Sequence, residues 1–134
     1  MALEIPGVGS QYAFSSRDGS GAYLNGSNTY KLNIPANPPA QKFWSFVVYD
    51  PQTRSMLQTG EMPYPSKNNK RNADMVKNAD GSIDLYFGPQ APAGMEANWV
   101  KTVPGKGWFG IFRLYGPGQQ WFDRTWKLGN IEKV

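Results

Sequence analysis

The sequence predicts an all-β fold, an antiparallel β-sandwich built from about seven short strands. Three observations predict it. Fifteen glycines and 11 prolines are spread through 134 residues, so turns are frequent. Aromatic residues make up 14% of the chain while charged residues make up only 18%, a balance suited to half-buried pleated strands. Several short segments alternate apolar and polar residues with period two, and nothing in the chain alternates strands with helices.

Residues 10–16 alternate weakly and read as a strand, closed by a turn at Asp18-Gly19-Ser20-Gly21. Asn25-Gly26 is a second turn, and residues 29–34 (Thr-Tyr-Lys-Leu-Asn-Ile) alternate as the next strand. The prolines of Pro35-Ala36-Asn37-Pro38-Pro39 remove ladder donors and block helix, so this stretch is an extended connector. Residues 43–49 (Phe-Trp-Ser-Phe-Val-Val-Tyr) are apolar on both faces apart from Ser45, as expected of a central strand covered on both sides. Asp50-Pro51 ends it, and residues 52–59 are expected to form a short helical turn.

Residues 60–79 are the longest irregular stretch, with two prolines, and are expected to be the least ordered interior segment. Asp80-Gly81 is a hairpin turn leading into residues 82–87, with Ile83, Leu85 and Phe87 on one face and Ser82, Asp84 and Tyr86 on the other. Residues 98–103 form a strand, Pro104-Gly105-Lys106-Gly107 a turn and residues 108–115 a long strand. In that strand Phe109, Ile111, Arg113 and Tyr115 alternate with Trp108, Gly110, Phe112 and Leu114. Gly110 marks a bulge or a close backbone approach. One or two helical turns are expected over 119–126, ahead of a short terminal strand.

Composition excludes a good deal of chemistry. The chain has no cysteine, hence no disulfide, thiol nucleophile or thiolate metal site. It has no histidine, which removes the usual base near neutral pH and the commonest transition-metal ligand. No cofactor and no transition metal is therefore expected, while oxygen-ligand metals such as calcium stay open. No apolar run reaches the roughly 20 residues of a membrane span. No basic region followed by an apolar one opens the chain, so no signal peptide is read, though a longer parent protein could be exported. The net charge of +4 concentrates in one basic loop, where Lys67, Lys70, Arg71 and Lys77 face only Asp74. So few cations imply no specific nucleic-acid partner.

Several motifs weaken on inspection. Asn78-x-Asp80-Gly81-Ser82-x-Asp84 has carboxylates near a glycine, but the spacing is wrong for a calcium loop and no glutamate closes it. Pro104-Gly105-Lys106-Gly107 lacks the spacing and the following helix of a phosphate loop. Asn25-Gly26-Ser27 fits a glycosylation acceptor only in a secreted eukaryotic protein. Of the five tryptophans, Trp44 sits mid-strand and belongs to the core, whereas Trp121 and Trp126 flank charges and are candidates for a docking surface. Arg54, Arg113 and Asp123 are polar residues in apolar surroundings. Arg113 is read as pointing inward, paired with Asp123 or Asp84 in a structural ion pair.

Long blocks of the chain resemble the domain-of-unknown-function family 1214. They include Gly9-Ser10-Gln11-Tyr12, then Ile34-Pro35-Ala36-Asn37-Pro38-Pro39-Ala40 running on through Phe43 to Asp50. Pro104 to Phe109, Arg113-Leu114-Tyr115-Gly116-Pro117 and Trp121-Phe122-Asp123 follow, and the likeness covers roughly residues 7–133. The resemblance implies a bacterial protein with a jelly-roll-like sandwich and no established activity. It also implies an N-terminal partner domain, the domain-of-unknown-function family 1254, absent from this chain. Relatives read Trp-Arg-Pro-Gly-Glu near the end, where this chain has Trp126-Lys127-Leu128-Gly129-Asn130.

The expected function is therefore a non-enzymatic module of 1–134 that docks to a partner domain of that kind or forms a homo-oligomer. The alternative is a carboxylate-dependent hydrolase or a glycan-binding domain using Asp84, Asp123, Arg54 and the C-terminal tryptophans, with Tyr86 and Arg113 beside them. Its small-molecule or glycan ligand is left open.

Overall fold

A computed structural model describes residues 10–49, 66–68, 75–122, 126 and 128–134. Among the described residues eight strands form two four-stranded sheets. The first has the order β1 (Ser10–Ser15), β7 (Phe109–Pro117), β3 (Ala40–Tyr49), β4 (Ser66–Asn68). The second has the order β6 (Trp99–Lys101), β5 (Ile83–Gly88), β2 (Tyr30–Ile34), β8 (Glu132–Lys133). One 3-10 turn, Glu96–Asn98, and one short helix, α1 (Gln119–Phe122), complete the regular structure among the described residues.

The expected all-β sandwich is thus present, with one departure from a wholly antiparallel arrangement: β6 runs parallel to β5. The Gly88–Met95 loop and the 3-10 turn carry the chain back to start β6 in the direction of β5, a crossover a two-residue hairpin cannot make. The expected strand over 98–103 shortens accordingly to three residues.

The core lies between the sheets. Tyr30, Leu32, Ile34, Leu85, Phe87 and Val100 face Trp44, Phe46, Val48, Phe112 and Leu114, all buried. Ring contacts bridge the layers: Phe46 lies 5.0 Å from Phe87, and Phe87 lies 5.0 Å from Trp108. The period-two pattern of β5, with Ile83, Leu85 and Phe87 buried, appears as expected. In β7 the buried residues are Gly110, Phe112, Leu114, Gly116 and Pro117. Gly110 marks a close approach and no bulge, because its pairing with Ser15 and Val48 runs on in register. A Cβ there would collide with the edge of the Phe46 ring.

The stretch 60–79 is partly ordered by tertiary contacts. Residues 66–68 pair with β3, and Met75 is buried. Asn98, fully buried, accepts from Val76 N at 2.7 Å and donates to Val76 O and Asp84 O, each at 2.9 Å. The rest of 60–74, the expected helical turn at 52–59, and residues 123–125 lie outside the described residues.

Candidate functional site

The residues singled out in the sequence do not converge on one site. Asp84 and Tyr86 sit on the outer face of the second sheet, in β5. Arg113 sits on the outer face of the first sheet, in β7, because its neighbours Phe112 and Leu114 take the inner face. The two outer faces lie on opposite sides of the core, so Asp84 and Arg113 cannot share a site. Arg54, Asp123, Lys70 and Arg71 lie outside the described residues.

Three expectations are corrected. Trp126 is no docking residue: it is 8% exposed, stacks on Phe112 at 5.9 Å, and donates its Nε1 to the carbonyls of Pro35 and Ala36. Trp121 is half-buried and packs against it at 6.4 Å. The proline-rich connector leaves carbonyls without ladder partners, and the indole N–H supplies one. Lys67 belongs to strand β4 and is buried, leaving Lys77 as the exposed described member of the basic group.

The third correction concerns Arg113. It is half-buried on the outer face, and among the described residues its guanidinium has no hydrogen-bond or ion-pair partner. Among the described residues no internal ion pair depends on it. Arg113→Met is expected to change stability by no more than about 0.5 kcal/mol, as a surface substitution does. Thermal unfolding checks this, and a loss of about 3 kcal/mol would restore the inward reading.

The polar cluster around Asp84 is a closed network. Asn33 donates to Asp84 Oδ1 at 2.8 Å and Asn78 to Oδ2 at 3.2 Å. Both amides also reach Ser82 Oγ, whose hydroxyl donates to Asp80 at 2.6 Å. The Ser82 hydroxyl, then its backbone N–H, holds the Asp80 carboxyl below its ordinary range. Amide donors occupy both Asp84 oxygens, which is the wrong polarity for a cation cage. Gly81, at φ 86°, closes the expected turn. Among the described residues no group of three acidic side chains gathers as a metal site.

The two outer faces differ in chemistry. The second sheet presents Lys31, Asn33, Asp84 and Glu132, with Lys31 opposite Glu132 and Asn33 opposite Asp84, and beside them the half-buried Tyr86 and Trp99. The first sheet presents aromatic residues. Tyr12 is 66% exposed and Phe14 58% exposed on edge strand β1. Beside them lie Phe109, Ile111 and Tyr115 of β7, then Val47 and Tyr49 of β3, each half-buried. Phe14, Phe109 and Tyr49 form a ladder across three strands, at 5.1 Å and 5.3 Å between ring centroids. Among the described side chains of this face, Arg113 is the one formal charge, set in register between Tyr12 and Ser45.

The sequence gives a faint signal of this face. Tyr12 and Phe14 share one side of β1 while Gln11, Ala13 and Ser15 share the other. Alternation alone would send the aromatics inward, and they point outward.

A family model described as "Protein of unknown function (DUF1214)" matches residues 9–119. The chain belongs to the DUF1214 family. No curated protein sequence matches this DUF1214 domain significantly. Among solved structures it is similar to the VPA0106 protein from Vibrio parahaemolyticus, with TM-score 0.77 and 25% identity over 93% of this chain and 30% of that one. It also resembles in fold an uncharacterized protein from Burkholderia cenocepacia, with TM-score 0.53 and 20% identity over 92% of this chain and 34% of that one. The DUF1214 domain thus spans about a third of the length of the solved chains it matches. Among the described residues no helix is long and apolar enough to cross a membrane.

Proposed function

We propose that this DUF1214 domain is a non-catalytic docking module, whose aromatic outer face on the first sheet packs against a companion domain. The observation that carries the reading is the asymmetry of the sandwich. One outer face mixes charged and amide side chains with the half-buried Tyr86 and Trp99, while the other exposes Tyr12 and Phe14 beside a ring ladder in which Arg113 is the one cation among the described side chains. Contiguous apolar surface of this kind marks an interaction site, and buried aromatic anchors dominate interface energetics.

A companion domain fits better than a second copy for two reasons. The solved relatives carry about two further thirds of chain beyond the matched sandwich. And an isologous dimer centred on this face would bring two Arg113 side chains together, burying like charges. A companion surface avoids that cost by presenting a carboxylate opposite Arg113, amid apolar side chains.

The solved Vibrio structure provides the test. The residues aligned with Tyr12, Phe14 and Ile111 are expected to be covered there by the part of that chain outside the match. If they face solvent, the companion-domain reading fails. Light scattering on this chain alone is expected to give a monomer; a stable dimer lost in Tyr12→Ser would move the occupant to a second copy.

A further inference from the structure

At one end of the aromatic face lies an open depression of about 610 Å³. Phe14 and Phe109 form one side of it, Tyr23 and Leu24 the other, and buried Trp108 closes it from below. This volume falls within the roughly 300–1,000 Å³ of small-ligand sites.

Ser16 adds a hydroxyl to the lining, and two further donors belong to or adjoin the lining residues: the indole N–H of Trp108, buried beneath the floor, and the Arg17 guanidinium beside Tyr23. Trp108 is 2% exposed, wedged against Tyr30 at 5.8 Å and Phe87 at 5.0 Å. Its Nε1 is buried and has no acceptor. Buried indole donors ordinarily find a partner, so this one stands out. Next to the lining, the Arg17 guanidinium lies 4.4 Å over the ring of the lining residue Tyr23 and donates to the Tyr23 hydroxyl at 2.8 Å. Among the described residues it meets no carboxylate, and the lining of the depression includes none. The stacking on Tyr23 holds the cation beside a largely apolar hollow, within a side chain's swing of a ligand seated there.

We propose that this depression binds a small carboxylate with an apolar body. The body lies against Phe14, Tyr23 and Trp108, and the carboxylate meets Arg17 in a charge-assisted pair. The aromatic walls accept either a flat ring system or a short acyl chain, and the experiment separates the two. The depression shares Phe14 with the docking face, but the isolated chain carries every residue it uses, so its test stands or fails separately from the docking reading.

The test is a titration of the chain with naphthoate, octanoate and neutral naphthylmethanol, followed by calorimetry and by the indole N–H resonances. The Trp108 resonance is assigned by its loss in Trp108→Phe. At least one of the two acids is expected to bind and to move the Trp108 resonance. Naphthylmethanol is expected to bind more weakly than naphthoate. Arg17→Gln should weaken acid binding about threefold to fivefold, the range of an exposed ion pair, and leave the alcohol unaffected. Tyr23→Ser should weaken all ligands, and Lys31→Gln, on the opposite face, none. The proposal is overturned if neither acid binds, if binding leaves the Trp108 resonance in place, or if Arg17→Gln binds the acids as well as wild type.

Discussion

Replacing Asn98 with alanine is expected to cost about 3 kcal/mol or more, the largest loss from any polar position among the described residues. The side chain is fully buried, its amide oxygen accepts from Val76 N, and both its amide hydrogens are used, on Val76 O and Asp84 O. Alanine strips a partner from three part-buried backbone groups; with Val76 exposed, each loss falls near the low end of the roughly 1–3 kcal/mol desolvation penalty, which sums to about 3 kcal/mol. The damage should be local first. Val76 should lose hydrogen-exchange protection before the strands do, because Asn98 is what ties residues 75–77 to β5. Asn98→Asp keeps the shape but turns a double donor into a carboxylate facing two carbonyl oxygens. Burial raises the folded-state value of the new acid, so its charged form is penalised as pH rises above the unfolded value of about 3.9. That variant should therefore be weakest near neutral pH and recover as pH falls toward 4. If chemical denaturation places Asn98→Ala within 1 kcal/mol of wild type, the amide is not the hub its geometry describes.

Gly110→Ala is expected to destabilise by about 3 kcal/mol, the upper end of the usual overpacking range. The added methyl would enter the space of the Phe46 ring, which is 1% exposed and held from behind by Phe87. The backbone cannot yield easily, because Gly110 is paired on both sides within the first sheet. Phe46→Leu alone should also destabilise, by opening a cavity. Together the two changes should cost less than their sum, since leucine vacates volume the methyl needs. Strict additivity in denaturant melts would show that the ring and the glycine do not share that space.

Strand positions were legible from the residues. Alternation over 29–34 and 82–87 locates β2 and β5, and the turn at Asp80-Gly81 closes as its residue types require. The all-apolar run at 43–49 reads as a central strand, and β3 lies between β7 and β4. The core role of Trp44 was legible too. The candidate site was not. Residues remote in the chain build the aromatic face and the depression, with Phe14 meeting Phe109, and Tyr23 meeting Trp108 across the hollow. No local pattern encodes those encounters.

What the sequence determined by itself is which residues share a face, because side chains on a strand alternate with period two. Which face turns inward was decided only by the tertiary structure. In β7 both sets are rich in large apolar residues, Phe109, Ile111 and Tyr115 against Trp108, Phe112 and Leu114. Hydrophobicity therefore leaves the choice nearly even, and the presence of Arg113 in the first set did not reveal the outcome. Volume settles it. The inner set contains Gly110, whose missing side chain admits the Phe46 ring, and packing at interior density rewards that fit. Arg113 is carried outward as a consequence, together with the rings beside it.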